Sequence, residues 1–489
     1  MSLTRRQFAG LALTAPWLAH AQSAADPSTL RMGVSDRPRS LDPRFATDAL
    51  SSRVNRLLYR ALTDFDEHFQ PIPDLADWRH DGTVWRLTLR DGAARFHTGA
   101  PVTAQDVVAT FRSILEPKTA SPLRGSLSHI RQVVAESPQR VRFELSRPDP
   151  LFAGRLNIGI LPAALLEQGH DFNRKPVGCG PCRFVSADEQ KTVLVRPDGV
   201  RLAFIKVKDP LVRVLKLRKG ELDLVQGGLA PELTAYCARR PELAVDWHPG
   251  TSFAYVGFNF RDPVLGRLPV RQAIAHGIDR AAIVRWLFRG HARLAGGLLV
   301  PEHWAGLKDW QGYDYDPDRA RWLLRRAGVP QPLRLSYKTS AAPLRVRLAA
   351  IYQDQLRHAG IDLDVRSYDW GTFYGDIRAG RFQLYSLAWV GVKSPDIFQY
   401  VFHSAFTPPR GANRGHYADP LVDRLIEQAL VADSPHEQAT LYRRLQRRLA
   451  DTVAMVPLWY EDQYVVRRAS LHGYRLYADG RYDGLLTAG

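Results

Sequence analysis

The chain has 489 residues, of which 45% are hydrophobic and 24% charged. These are ordinary globular values that exclude a disordered or fibrous chain, and the length calls for several domains rather than one core. A formal net charge of +17 raises nucleic acid as a partner, but the arginines are scattered, with no basic tail, helix-turn-helix or zinc module, so none is expected.

In chain order, Arg5-Arg6-Gln7-Phe8 leads into an apolar run to Leu18, and Ala19-His20-Ala21 forms a small-residue cleavage signal. Residues 1–21 therefore read as an export leader of twin-arginine type, removed near Ala21, with a mature charge of about +15. No other apolar run reaches the roughly 18–20 residues of a membrane span, and no cysteine follows the cleavage site to carry a lipid. A soluble periplasmic protein is expected. A helix then carries Val54, Leu57, Leu58 and Leu62 after Leu41-Asp42-Pro43. Trp85, Leu87 and Leu89 alternate with polar residues as a half-buried strand, Asp91-Gly92 and Thr98-Gly99 supply turns, and Thr103 with Asp106 makes a capping box for a helix over Ala104–Leu115.

Cys179-Gly180-Pro181-Cys182 has the letters of a thioredoxin-like redox site. Such a site opens a helix, whereas Arg183-Phe184-Val185 reads as a strand. A structural turn is the preferred reading, with a small disulfide between Cys179 and Cys182 or two thiols both open, and a redox protein kept as the alternative of another class. Cys237 remains as a single small apolar thiol.

Further on, Tyr255–Phe260 is a buried strand leading to a helix with Ala273, Ile274 and Ile278 on one face. Asp279 and Arg280 start the next helix, and a helix over 317–328 ends at Gly328 and Pro330. From Leu333 to Trp389 the pattern runs strand, helix (345–359), strand, helix (370–378), strand (382–389), the order of a parallel or mixed sheet covered by helices. Residues 420–451 read as helix and 455–466 as a terminal strand. No nucleophile elbow, zinc-protease helix, phosphate loop or dinucleotide fingerprint occurs, and no histidine pair has metal-ligand spacing. Neither catalysis nor a cofactor or bound metal is expected.

Several segments together resemble the family 5 extracellular solute-binding proteins, the receptors of ABC importers for dipeptides, oligopeptides, nickel chelates and related solutes. They are the Trp85–Phe111 segment, Leu41-Asp42-Pro43, Pro176–Phe184, Tyr255–Phe260 with Val270–Ile274, and Ile278-Asp279-Arg280. The resemblance spans roughly residues 30–475. It implies an α/β, two-lobed periplasmic-binding-protein-like fold of type II with an extra domain inserted in the first lobe. The implied boundaries are 22–70, 71–172 (insert), 173–263, 264–455 (second lobe) and 456–489 (return). It also implies a monomer that captures a peptide or other small-molecule ligand between the lobes and delivers it to an inner-membrane permease.

By the same resemblance, Ala388, Trp389 and Val390 form the strand along which a peptide ligand adds as a further strand. Peptide binders of the family place an aspartate three residues past the tryptophan to hold the ligand's amine. Here that position is Val392, followed by Lys393. Either Asp396 takes the amine from a shifted loop or the ligand has no free amine. Lys393 would favour an anionic group or point to solvent. Asn413 fixes its loop or touches ligand, Arg414 (ahead of Arg410) offers a carboxylate fork, and Trp459 and Tyr460 with Trp389 would wall the cleft. A non-peptide anionic solute or a metal chelate is the alternative ligand.

Overall fold

Two long strands organise the molecule. Leu243–Phe258 and Val456–Arg468, rich in the β-branched and aromatic residues that suit a pleated surface, pair antiparallel along nearly their whole length. The ladder slips twice, between His248 and Ser252 and again between Ala254 and Tyr255, and the first is the longer break. Pro249 cannot donate there, and a Cβ on Gly250 would stand 2.1 Å from the Glu461 carbonyl oxygen, so only glycine fits. This computed structural model describes residues 29–489 apart from 91, 93 and 433. The expected export leader at residues 1–21 lies outside the described residues.

The strand pair runs through the middle of one continuous mixed sheet. Beyond Val456–Arg468 lie Leu224–Gln226, Thr29–Val34, Arg201–Lys206, Lys191–Val195 and Arg183–Ala187. Beyond Leu243–Phe258 lie Leu384–Trp389, Leu333–Ser340 and Ile361–Tyr368. The chain therefore crosses from one half to the other and returns. In the second half the strand–helix alternation appears as expected: Leu333–Ser340 is parallel to both Ile361–Tyr368 and Leu384–Trp389, with helices Pro343–His358 and Trp370–Arg378 between them in sequence. The segment between Thr29–Val34 and Arg183–Ala187 builds a separate four-stranded antiparallel sheet backed by helix Ala104–Leu115. Its own core holds Trp85, Phe111, Phe143 and Phe152.

Two local expectations change in detail. Residues 420–451 form two helices, Pro420–Val431 and Pro435–Asp451, because Asp419 and Ser434 each cap a new start followed by proline. At the helix over Ala104–Leu115, the Thr103 hydroxyl donates to Asp106 (2.7 Å). The same carboxylate takes the Thr103 N–H at 2.8 Å and the Ala163 N–H at 2.7 Å, so it ties the helix start to a distant loop. Asp279 caps the next short helix through the Ala282 N–H, and the buried Arg280 guanidinium is spent on the carbonyls of Ala295, Pro457, Gln311 and Tyr313.

Candidate functional site

A cleft of about 1070 Å³ opens between the halves. Helix Ala49–Leu58 contributes Arg53 and Arg56, the strand Thr63–Phe65 contributes Asp64, and the C-terminal segment contributes Asp479, Arg481 and Asp483. The opposite wall is Trp389, Val390, Gly391 and Lys393. The strand Leu384–Trp389 pairs with Phe253–Phe258 along its full length on one side. On its other side only Leu384 and Tyr385 meet a neighbour, Tyr337 and Lys338. From Ser386 to Trp389 that edge has no strand partner among the described residues. Ala388 lies on this open edge, and Val390, 49% exposed, follows it into the cleft.

Lys393 neither points to solvent nor stands free for an anion. Its ammonium reaches across the cleft to Asp479 (2.7 Å), with side chains only 23% and 10% exposed, and lies 5.6 Å from the Phe65 ring centre. Burial pushes the Asp479 carboxyl up, but Lys393 and Arg481 beside it hold it below its ordinary value. Val392 turns inward and packs on the core beneath the cleft strand. Asp396 is not available for an amine either: it accepts from Arg155, whose Nε also donates to Asp149 (2.7 Å), itself in contact with His129 (2.9 Å).

Arg414 is buried, with its guanidinium 5.1 Å from the Trp389 ring centre and 5.5 Å from that of Tyr374. It donates to the hydroxyls of Tyr255 and Tyr374, both at 3.3 Å, and has no carboxylate partner among the described residues. Arg410 stacks over Phe406 instead. Asn413 fixes its loop: the amide donates to the carbonyls of Tyr417 (2.7 Å) and His403 (3.2 Å) and accepts the Tyr417 N–H at 2.9 Å. Trp459 and Tyr460 do not wall the cleft. Neighbours along a strand face opposite sides of the sheet, and here both sides are covered. Trp459 sits in one core against Phe288, and Tyr460 sits in the other with its hydroxyl on the carbonyls of Gly297 and Leu299.

The charged floor of the cleft was missed in the sequence. Arg56 grips Asp64 (2.5 Å) and Asp483 (2.8 Å), and Arg60 grips Asp74 (2.6 Å). Arg481 lies within 4 Å of Asp64, Asp479 and Asp483. Burial acts to raise the Asp64 carboxyl, yet Arg56 brings it down to about 2. The run Asp479-Gly480-Arg481-Tyr482-Asp483, with charges at every second position, was the one available signal.

The cysteine motif is a structural turn, and the two thiols are free. Cys179 is buried in the core of the inserted sheet and Cys182 in the core of the first half, so the side chains serve different interiors and no disulfide joins them. The N–H groups of Gly180 and Cys182 donate to the carbonyls of Leu58 and Leu57 at the end of the first helix. A Cβ on Gly180 would lie 2.4 Å from Leu58 carbon. His97 clamps the turn: its Nδ1 accepts the Gly178 N–H (3.3 Å), which leaves Nε2 to donate to the Gly180 carbonyl (3.1 Å).

Comparison with known proteins bears on this architecture. The family model described as bacterial extracellular solute-binding proteins, family 5, middle region, matches residues 70–408. A probable di/tripeptide-binding protein 5 of Pseudomonas aeruginosa is 29% identical over 87% of this chain and 89% of its own. Di/tripeptide-binding protein 4 of the same organism is 30% identical over 82% and 84%. The crystal structure of NikZ from Campylobacter jejuni in complex with Ni(L-His) superposes with a TM-score of 0.82 at 26% identity, covering 94% of this chain and 99% of that one.

Proposed function

The chain belongs to the bacterial extracellular solute-binding proteins of family 5, and from that premise we propose that it is the periplasmic receptor of an ABC importer that captures a peptide or peptide-like solute. The observation that carries this reading is the open backbone edge from Ser386 to Trp389, which ends at Trp389 in the wall of a 1070 Å³ cleft. An extended ligand adds there as a strand, with main-chain hydrogen bonds supplying affinity and little dependence on its side chains. Trp389 and Val390 give the ligand an apolar surface, and Arg414 beneath Trp389 gives a positive field. The names of the Pseudomonas relatives support the same ligand class.

The lobes close about the crossing strands, with the interruption between His248 and Ser252 as the weakest part of that ladder. Ligand contacting both walls favours the closed state, since it shifts an equilibrium only by what it gains there. The protein's own chemistry is binding and release, and delivery passes to the permease.

Native mass spectrometry of protein taken from its own periplasm, followed by denaturation, tests the proposal. Release of peptides or acylated peptides is the expected result. A single non-peptide mass would move the ligand class and keep the receptor. A cleft that yields no bound mass, and that no peptide in a pool fills on incubation, overturns the reading.

A further inference from the structure

We propose that Lys393 is a self-supplied ammonium: by holding Asp479 it fills the place of a ligand's free amine, so the cleft selects amine-blocked peptide-like ligands carrying an anionic group. The inference rests on the reading of the cleft as the solute site and names the chemistry of its ligand.

A buried ammonium needs a carboxylate partner, so the acids of the cleft decide whether a free amine is accepted. Five aspartates line it. Asp64 and Asp483 are held by Arg56, Asp74 by Arg60, and Asp479 by Lys393. Asp48 uses one oxygen on the Ser51 N–H (2.9 Å) and the other on the Ser51 hydroxyl (2.5 Å) to cap the first helix. No carboxylate is left over for a ligand.

The cations are not balanced in the same way. Arg53 lies in the cleft wall over the Tyr482 ring, 5.4 Å from its centre, with no carboxylate partner among the described residues. Arg414 beneath Trp389 lacks one as well. An anionic ligand therefore meets the Arg53 guanidinium in the wall with Arg414 buried behind Trp389, whereas the one carboxylate a cationic ligand meets without a cation partner among the described residues is Asp48, both of whose oxygens are taken up by Ser51.

Lys393 is the replaceable member of this set because its ammonium comes from the opposite wall. Asp479 also borders a second pocket of about 300 Å³ beyond the cleft, shared by Lys393 and Arg481. The Lys393–Asp479 pair thus forms a partition at which a ligand's terminus would stop.

The test is calorimetric binding of a panel of di- and tripeptides, each offered with a free and with an acetylated amino terminus, to the wild type, Lys393→Met and Lys393→Arg. The wild type should prefer the acetylated form at least tenfold. Lys393→Met, which leaves Asp479 with only the more distant Arg481 (3.8 Å), should gain at least tenfold for the free-amine form, and Lys393→Arg should keep the wild-type preference. Unchanged circular dichroism and melting would show that the variants fold. Equal or tighter binding of the free amine by the wild type overturns the inference alone, as does a preference that Lys393→Met leaves unmoved. Failure of every peptide with every variant sinks the peptide reading and the inference with it.

Discussion

Arg155→Met cuts the link between the inserted sheet and the loop that follows the cleft strand. Arg155 holds Asp149 on one side and Asp396 on the other, and its side chain is only 12% exposed. Burial pushes the Asp149 carboxyl up, but the Arg155 guanidinium and His129 bring it from the ordinary 3.8 down to about 2. At about 1.4 kcal/mol per pH unit this depression corresponds to about 2.5 kcal/mol of native-state stability, of which the Arg155 charge supplies the largest single part and His129 part of the rest. Asp396, 26% exposed, adds up to about 1 kcal/mol. Methionine keeps the bulk and removes every donor, so a loss of about 3 kcal/mol is expected at pH 7, the lower end for breaking a buried pair. The sign with pH follows from the depressed pKa: the contribution of Asp149 is complete above pH 3.8 and disappears as pH falls through about 2. Urea unfolding of both proteins from pH 7 to pH 2 measures it. The gap between them should narrow below pH 4. A gap under 1 kcal/mol at pH 7, or one that stays constant down to pH 2, would refute the reasoning.

Three further outcomes follow from the packing. Burial pushes the Cys179 thiol up to about 11 and the Cys182 thiol up to about 12, so iodoacetamide at pH 7.5 should leave both unmodified in folded protein and label them after denaturation; intact-protein mass reads the difference, and labelling of the native fold would contradict it. Gly180→Ala sets a Cβ against the backbone of Leu57, Leu58 and Tyr59 and should cost about 3 kcal/mol, at the upper end for overpacking, seen as a lowered melting temperature. Asn413→Ala removes three hydrogen bonds from a buried loop and should cost about 2 kcal/mol, whereas a neutral effect in chemical denaturation would mean that water replaces the amide.

The parts of the fold that were legible in the sequence were those with a period. The alternation over 333–389 announces its strands and helices because the strands are amphipathic and the helices end at glycine, as at Gly360 and Gly380 in left-handed geometry. The cleft strand and Trp389 were legible by resemblance. Trp459 and Tyr460 were misplaced because a strand covered on both faces spells the same apolar run as one facing a cleft. The fate of Asp396 was hidden for a different reason: its partner Arg155 is 241 residues away in the chain, and no local pattern reports such a contact. The same holds for Lys393 and Asp479. The turn character of Cys179–Cys182 could be read from the strand after it, but only the fold reveals that the two thiols enter separate interiors.

The open edge from Ser386 to Trp389 also bears on which chains can reach it. An exposed strand edge is a template for any extended chain, including a neighbouring copy, and sheet proteins commonly blunt such edges with charge or cover. Here the edge runs into the cleft at Trp389, where the opposite wall faces it and Lys393 stands just past its end. A folded sheet is too thick to enter such a cleft, whereas a single extended chain is not. Depth thus acts as a sieve: the geometry that leaves backbone groups unsatisfied for a ligand keeps them from the edges of other folded molecules, without a proline or a bulge in the strand itself.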